Sequence, residues 1–315
     1  MNESRPNTLV VQAMAKVNLF LRVLGRRDDG YHDLETLVVP IDLADRLEIH
    51  AVSDPAEFDT LSLSLEVKGD AGLVRGIPAD ESNLVLRAAS ALADRVHARG
   101  FAEIVLDKRV PAAAGLGGGS ADAAATLKAL NELWGAGLDR SELLEVAEAV
   151  GSDVPALLAG GSLFAQGRGE RLAPLRMAGL NLALATFEFG VATAEAFVWW
   201  DQDGGPTGPD PAPILQEAER RTMGQRGDLV PFAALVYNDL EQAVTARHGV
   251  IGEVKDRLLA GGALAVVMSG SGPSLAALLP WDVQRLAPEI EEDVRGAAGR
   301  PLRYVVSEPS GSSEE

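Results

Sequence analysis

Pro111-Ala112-Ala113-Ala114-Gly115-Leu116-Gly117-Gly118-Gly119-Ser120-Ala121 places four glycines within five positions, directly ahead of a helical pattern. Lacking a Cβ, glycine lets the backbone take positive φ and approach a ligand closely. The free amides of the following helix's first turn, together with the helix dipole, favour an anion there. The plain alternative is a tight strand-to-helix turn without a ligand, for which four glycines are more than is needed. Two familiar phosphate loops are excluded. No Gly-Lys pair occurs anywhere in the chain, so there is no Walker loop. Ser120 stands where a dinucleotide fingerprint needs Gly or Ala. What remains is a phosphate loop of another kind.

Composition sets that loop in an unusual electrostatic setting. The 315 residues carry a formal charge of -18, which argues against nucleic acid or an anionic membrane surface as partner. An acidic protein that binds phosphates needs a local cationic or amide-rich site against its own field. Only five lysines are available for it: Lys16, Lys68, Lys108, Lys128 and Lys255. The absence of cysteine excludes a disulfide framework, a thiol nucleophile and Cys-ligated metal. None of the four histidines has metal-site spacing. The stretch MNESRPNTLVVQAMAK lacks the layout of a signal peptide, and no run approaches the roughly 18 apolar residues of a membrane span. The expected location is the cytoplasm.

At roughly 100–200 residues per domain, the length predicts two domains. Leu61, Leu63, Leu65 and Val67 alternate with polar residues, the pattern of a half-buried antiparallel strand. Leu47–Ala51 and Phe101–Leu106 are further strands, with a helix over Asn83–His97 between them. A helix from about Ser120 carries Leu127, Leu130 and Trp134 on one face, and another spans Ser141–Val150 with Ser141 as N-cap. The second half predicts strands at Ser162–Phe164 and Leu182–Phe189, then a surface loop over Asp201–Pro213. Helices follow around Ile214–Arg221, Phe232–Arg247 and Ile251–Ala260, and then strands Ala263–Met268 and Leu275–Leu279 flank a Gly-Ser-Gly turn. Strands and helices without regular βαβ alternation point to an α+β fold. The expected division is residues 1–163, 164–307 and a polar tail, 308–315.

With these segments in view, the chain resembles the GHMP kinases (galactose, homoserine, mevalonate and phosphomevalonate kinases). The loop at 111–120 is similar to their second motif, Pro-x-x-x-Gly-Leu-Gly-Gly-Gly-Ser. Ala15-Lys16-Val17-Asn18-Leu19 resembles the first motif, and Met268-Ser269-Gly270-Ser271-Gly272-Pro273-Ser274 the third. The order and spacing agree over nearly the whole chain. The resemblance implies a two-domain fold with the active site in the cleft between domains, ATP and Mg2+ as cofactors, and a monomer or weak homodimer. Asn18–Leu37, which contains Gly30-Tyr31-His32, resembles the branch acting on a cytidine diphosphate-linked methylerythritol, as do Gly151–Pro155 and Asn238–Glu241. Another member, such as a homoserine or mevalonate kinase, is the competing reading, and Gly30-Tyr31-His32 speaks against it.

The resemblance also implies roles. Asp153 becomes the general base; on its own it is equally an N-cap ahead of Val154-Pro155. Lys16, which alone would be a snorkelling surface residue, becomes the partner that keeps Asp153 ionised. Asn18, two positions on, shares a strand face with Lys16 and binds substrate. Lys108 lies near the nucleotide, and the loop from Pro111 to Ala121 binds ATP. Ser120 is either a ligand of Mg2+ or phosphate or a cap, and no other metal ligand is assigned. Tyr31 and His32 recognise cytosine by stacking and hydrogen bonding. Trp199 stacks on its other face, with Phe197 and Trp200 as alternatives. The turn at Met268–Ser274 is a second backbone cradle or simply a hairpin turn.

Overall fold

The computed structural model describes residues 7–205, 207–223 and 228–307, and the predicted tail lies outside them. Two compact units emerge, neither contiguous in sequence. The first holds the chain up to Ala15, Leu43–Ala112 and Gly117–Ala159; the second holds Lys16–Asp42, Ala113–Leu116 and the chain from Gly160 onward. A single cut at 163 does not describe this division, because strands β1 (Thr8–Arg26) and β2 (His32–Ser53) are long enough to contribute to both units.

In the first unit, β3 (Leu61–Gly69) is followed by a short helix α1 (Ala71–Val74), helix α2 (Leu84–Val96) and strand β4 (Gly100–Lys108). Then come helices α3 (Gly118–Leu133), α4 (Arg140–Val150) and α5 (Val154–Ala159). The strand order is β3-β4-β2-β1. The predicted strand at Leu61–Val67 forms, but it pairs parallel with β4, not antiparallel. A period-two pattern reports which face is buried and is blind to direction; the helical crossover between β3 and β4 is what makes them parallel. Leu47, Ile49, Ile104 and Leu106 from the sheet join Leu92, Leu127 and Leu130 from α2 and α3 in one core. Helix α2 is capped by Asn83, whose side chain accepts from the Val85 amide, and it ends at His97 in the left-handed region.

The second unit adds β5 (Leu163–Gly167), β6 (Arg171–Pro174), β7 (Leu180–Ala185), α6 (Thr193–Gln202), α7 (Ala212–Met223), α8 (Val230–Ala233) and β8 (Tyr237–Asn238). It continues with α9 (Asp239–Arg247), α10 (Gly249–Ala260), β9 (Ala265–Met268), β10 (Leu275–Leu278), α11 (Pro288–Ala298) and β11 (Arg303–Ser307). Four strands in the order β11-β7-β10-β9 form an antiparallel sheet. Leu182 and its neighbours belong to β7, which stops at Ala185 rather than Phe189. The helix predicted over Phe232–Arg247 is broken, because Tyr237 and Asn238 pair with Phe20 and Leu21 of β1. Asp201 and Gln202, assigned to a loop by composition, instead close α6.

The start of α4 differs from expectation by two residues. Asp139, not Ser141, is the N-cap: its Oδ1 accepts from the Glu142 amide at 2.9 Å, and Glu142 returns a bond to the Asp139 amide at 3.0 Å. This reciprocal box satisfies two donors that a helix start leaves open. The Glu142 amide bond, more than any other contact, holds the Asp139 carboxyl below its usual range. Asp139→Ala is therefore expected to lower the melting temperature by about 2–4 °C, while Ser141→Ala changes it by less than about 1 °C, measured by circular dichroism.

Candidate active site

The central part of β1 is buried on both faces: Ala15, Val17 and Leu19 on one, Lys16, Asn18 and Phe20 on the other. Lys16 is 5% exposed, so it is no snorkelling surface residue. Its Nζ donates to Asn18 Oδ1 at 2.5 Å and to the Gly115 carbonyl at 2.9 Å. Asn18 Nδ2 donates to Thr36 Oγ1 at 2.7 Å, and the Thr36 hydroxyl donates to the Phe20 carbonyl at 2.7 Å. This chain of bonds fixes the orientation of the Asn18 amide.

The turn between β9 and β10 meets the same point. The Ser269 hydroxyl donates to the Gly115 carbonyl at 2.9 Å, and Ser269 Oγ accepts from the Asn18 amide at 3.0 Å. Asn238, which caps α9, uses its Nδ2 to hold the Met268 and Gly270 carbonyls at 2.6 and 2.8 Å. The turn is thus a hairpin connection and a partner of the glycine-rich loop at once. All three sequence motifs supply groups to one cluster around the Gly115 carbonyl.

What that cluster does to the loop is visible in its carbonyls. Ala113 O accepts from the Val191 amide (3.1 Å), Ala114 O from the Ser274 amide (3.3 Å), and Leu116 O from the Lys16 amide (3.0 Å). With Gly115 O held by Lys16 and Ser269, four consecutive carbonyls are engaged by surrounding protein. In a trans peptide the N–H points opposite to its C=O. The amides of residues 114–117 are therefore turned away from the groups that hold the carbonyls. Ala113, Gly115 and Gly117 take positive φ (50°, 75° and 69°), and Gly117 is the N-cap of α3. Alternating left-handed residues in this way builds a concave row of N–H groups suited to an anion.

In the first unit, Ser120 stands in the first turn of α3 and Asp153 precedes α5 as an exposed residue. Lys108 is 4% exposed and bonded to two carboxylates, Asp45 and Asp122. Burial acts to lower the Lys108 pKa, but the charges of Asp122 and Asp45 outweigh it, and the ammonium is raised. Burial pushes the Asp122 carboxyl up to about 7 against the pull of Lys108. Among the described residues, no three His, Asp or Glu side chains are grouped as a metal site. Nor is any helix long and apolar enough to cross a membrane.

Around Tyr31 and His32, the second unit places aromatic and charged side chains. His32 is buried, with Nε2 2.9 Å from Asp201 Oδ1 and its ring stacked on Phe197 at 4.7 Å and 18°. Trp200 meets it edge-on at 5.9 Å. Residues 197, 200 and 201 lie one turn apart on α6 and so share a face. Trp199, the expected stacking partner, packs instead against His248, with the Arg247 guanidinium over its ring. Tyr31 is half exposed and carries the Arg168 guanidinium 3.8 Å from its ring centre. Asp45, Thr36 and Asp201 carried no motif signal of these roles, whereas Phe197 stood as an alternative to Trp199 and Asn238 lay in the segment Asn238–Glu241 that resembles the branch; the i, i+3, i+4 spacing of Phe197, Trp200 and Asp201 is the pattern that could have found Asp201.

The chain as a whole is similar to known proteins. The family described as GHMP kinases N terminal domain matches residues 83–161, and that described as GHMP kinases C terminal matches residues 215–296. The chain is 36% identical over 282 residues to 4-diphosphocytidyl-2-C-methyl-D-erythritol kinase from Thermoanaerobacter pseudethanolicus, covering 90% of this chain and 91% of that one. It is 41% identical over 267 residues to the protein of the same name from Pelotomaculum thermopropionicum, covering 84% and 87%. A crystal structure of 4-(cytidine 5'-diphospho)-2C-methyl-D-erythritol kinase is similar with a TM-score of 0.73 at 32% identity, covering 95% and 99% of the two chains.

A side chain at Gly115 would collide with the Ser269 carbonyl, at a backbone φ of +75°, whereas one at Gly119 meets only Leu84 Cδ1 at 3.6 Å. Gly115→Ala is expected to destabilise the protein by about 1–3 kcal/mol. Gly119→Ala, inside a helix, is expected to be neutral or stabilising by up to about 1 kcal/mol. Urea denaturation of the two variants measures the contrast.

Proposed function

The chain belongs to the GHMP kinase family, and on that premise we propose that it phosphorylates the 2-hydroxyl of 4-diphosphocytidyl-2-C-methyl-D-erythritol with ATP. This is a step in building isoprenoid precursors by the non-mevalonate route. The observation that supports the reading is the cluster on the Gly115 carbonyl, which holds the loop carbonyls so that their amides point the other way, as an anion site requires; the aromatic and imidazole groups of Tyr31 and His32 suit a nucleobase. The relatives' names support the choice of substrate.

In the reaction, the substrate oxygen forms a bond to the γ-phosphorus as the bond to the β-phosphate's bridging oxygen breaks, releasing ADP. Asp153 accepts the hydroxyl proton. The Lys16 ammonium and the loop amides offset charge on the transferring group, which in phosphoryl transfer supplies most of the acceleration. The amides of residues 114–119 hold the nucleotide phosphates, and Asn18 binds the substrate. The Ser120 hydroxyl would be the protein ligand of a Mg2+ bound with the nucleotide, and the ion would neutralise phosphate charge there.

Asp201 is an acceptor when ionised, so it assigns the proton of the His32 imidazole to Nε2, leaving Nδ1 to accept from the exocyclic amine of cytosine. Tyr31 and Phe197 are the aromatic surfaces for the base, and Phe197 replaces Trp199 in that role because it is the ring beside His32. The enzyme is expected to act in the cytoplasm as a monomer or weak homodimer.

Asp153→Asn is expected to lower kcat by about two to four orders of magnitude with ATP affinity near normal. Unchanged turnover removes Asp153 from the base role. Phe197→Ala is expected to raise KM for the cytidyl substrate by roughly tenfold or more at constant KM for ATP, while Trp199→Ala leaves both alone. Turnover of mevalonate or homoserine in place of the cytidyl substrate, in an ADP-coupled assay, overturns the assignment.

A further inference from the structure

The two stems of the glycine-rich loop share a buried charge cluster in the first unit. Lys108, the last residue of β4, donates from Nζ to Asp45 Oδ2 at 2.5 Å and to Asp122 Oδ2 at 2.8 Å. Asp45, on β2, is fully buried, and Asp122, on α3, is 2% exposed. Asp45 also accepts through Oδ1 from the amides of Arg109 at 2.5 Å and Val110 at 2.9 Å. One carboxylate therefore holds three consecutive residues of the stem that enters the loop at Pro111. Asp122 stands near the start of α3, the stem that leaves it. The stems are in close approach: a Cβ on Gly118 would lie 3.0 Å from Val110 Cγ1 and 3.4 Å from Lys108 Nζ.

An ammonium held this way is poorly placed to reach for phosphate. Moving it out would strand two desolvated carboxylates, one of which already has a buried oxygen, Asp122 Oδ1, without a hydrogen-bond partner among the described residues. With two carboxylates against one ammonium, the cluster also has no spare positive charge to offer an anion.

We propose that Asp45, Lys108 and Asp122 form a clamp that sets the spacing of the loop's two stems, so that Lys108 acts on bound nucleotide through the backbone and is not a ligand of its phosphates. The proposal rests on the nucleotide-binding reading above and makes Lys108 a positioning residue.

A double-mutant cycle separates the two roles. Lys108→Met strands both carboxylates and is expected to weaken binding of ADP and a non-hydrolysable ATP analogue about tenfold, by titration calorimetry on folded protein. KM for ATP should rise by the same factor while KM for the alcohol substrate holds. Adding Asp122→Asn removes one stranded charge and is expected to recover most of the loss. A lysine that bonded phosphate directly gives no recovery, because the missing ammonium stays missing, and that result overturns the clamp.

If Lys108→Met does not fold, Asp45→Asn serves instead. It keeps the ammonium but turns one acceptor oxygen into an NH2 donor, so either Lys108 Nζ or the Arg109 and Val110 amides lose their acceptor, and it is expected to cost about threefold to tenfold in nucleotide affinity. A phosphate ligand freed from one carboxylate would bind as well as before or better, which overturns the clamp too. So does a lowered denaturation midpoint with unchanged nucleotide affinity, since the cluster would then only hold the fold. Wild-type protein that binds neither nucleotide overturns the loop reading and the clamp together, whereas failed recovery in a wild type that binds overturns the clamp alone.

Discussion

A loop that binds an anion through its amides must dispose of its carbonyls, and that requirement organises much of the second unit. Carbonyl oxygens facing a phosphate would repel it, and carbonyls buried without partners would cost free energy. Here residues 113–116 have all four engaged, by the Val191, Ser274 and Lys16 amides and by the Lys16 and Ser269 side chains. The three motifs meet here because each supplies part of this set. The lysine of the first motif contributes through its amide as well as its ammonium. The serine of the third bridges the Gly115 carbonyl to the backbone of β1 at Asn18.

Much of this was legible in the chain. Four closely spaced glycines before a helix identified the loop, and exclusion of the two commoner phosphate motifs left few alternatives. The i, i+2 spacing of Lys16 and Asn18 put them on one face of a strand, and they bond to one another. Burial was not legible. A lysine between Ala15 and Val17 looks the same whether β1 is covered on one face or both, and only the assembled unit covers both.

Other features escaped for physical reasons of the same sort. Asp45 lies 63 residues from Lys108, and nothing local distinguishes it from any acidic residue of a strand. The parallel pairing of β3 was hidden because alternation carries no direction. Trp199 was favoured over Phe197 on a rough alignment with the family, but on a helix two positions apart means opposite faces. Once Asp201 is known to touch His32, the spacing of 3.6 residues per turn puts residues 197 and 200, and not 199, on the face that meets His32.

The acidity of the chain, 46 Asp and Glu against 28 Lys and Arg, at first sight opposes binding a triphosphate. The structure separates long-range field from local site. Exposed carboxylates act through water and are screened within about 10 Å at ordinary ionic strength. Oriented amides and a buried ammonium act at hydrogen-bond distance, where screening is weak. Of the two lysines beside the loop, Lys108 is matched by two carboxylates and adds no net positive charge. Local attraction then falls to Lys16 and to backbone dipoles, whose direction the carbonyl bonds fix in advance. A site of this design needs few cations, but it is intolerant of any change that lets a loop peptide turn over, since one flipped unit replaces a donor with an acceptor facing the phosphate.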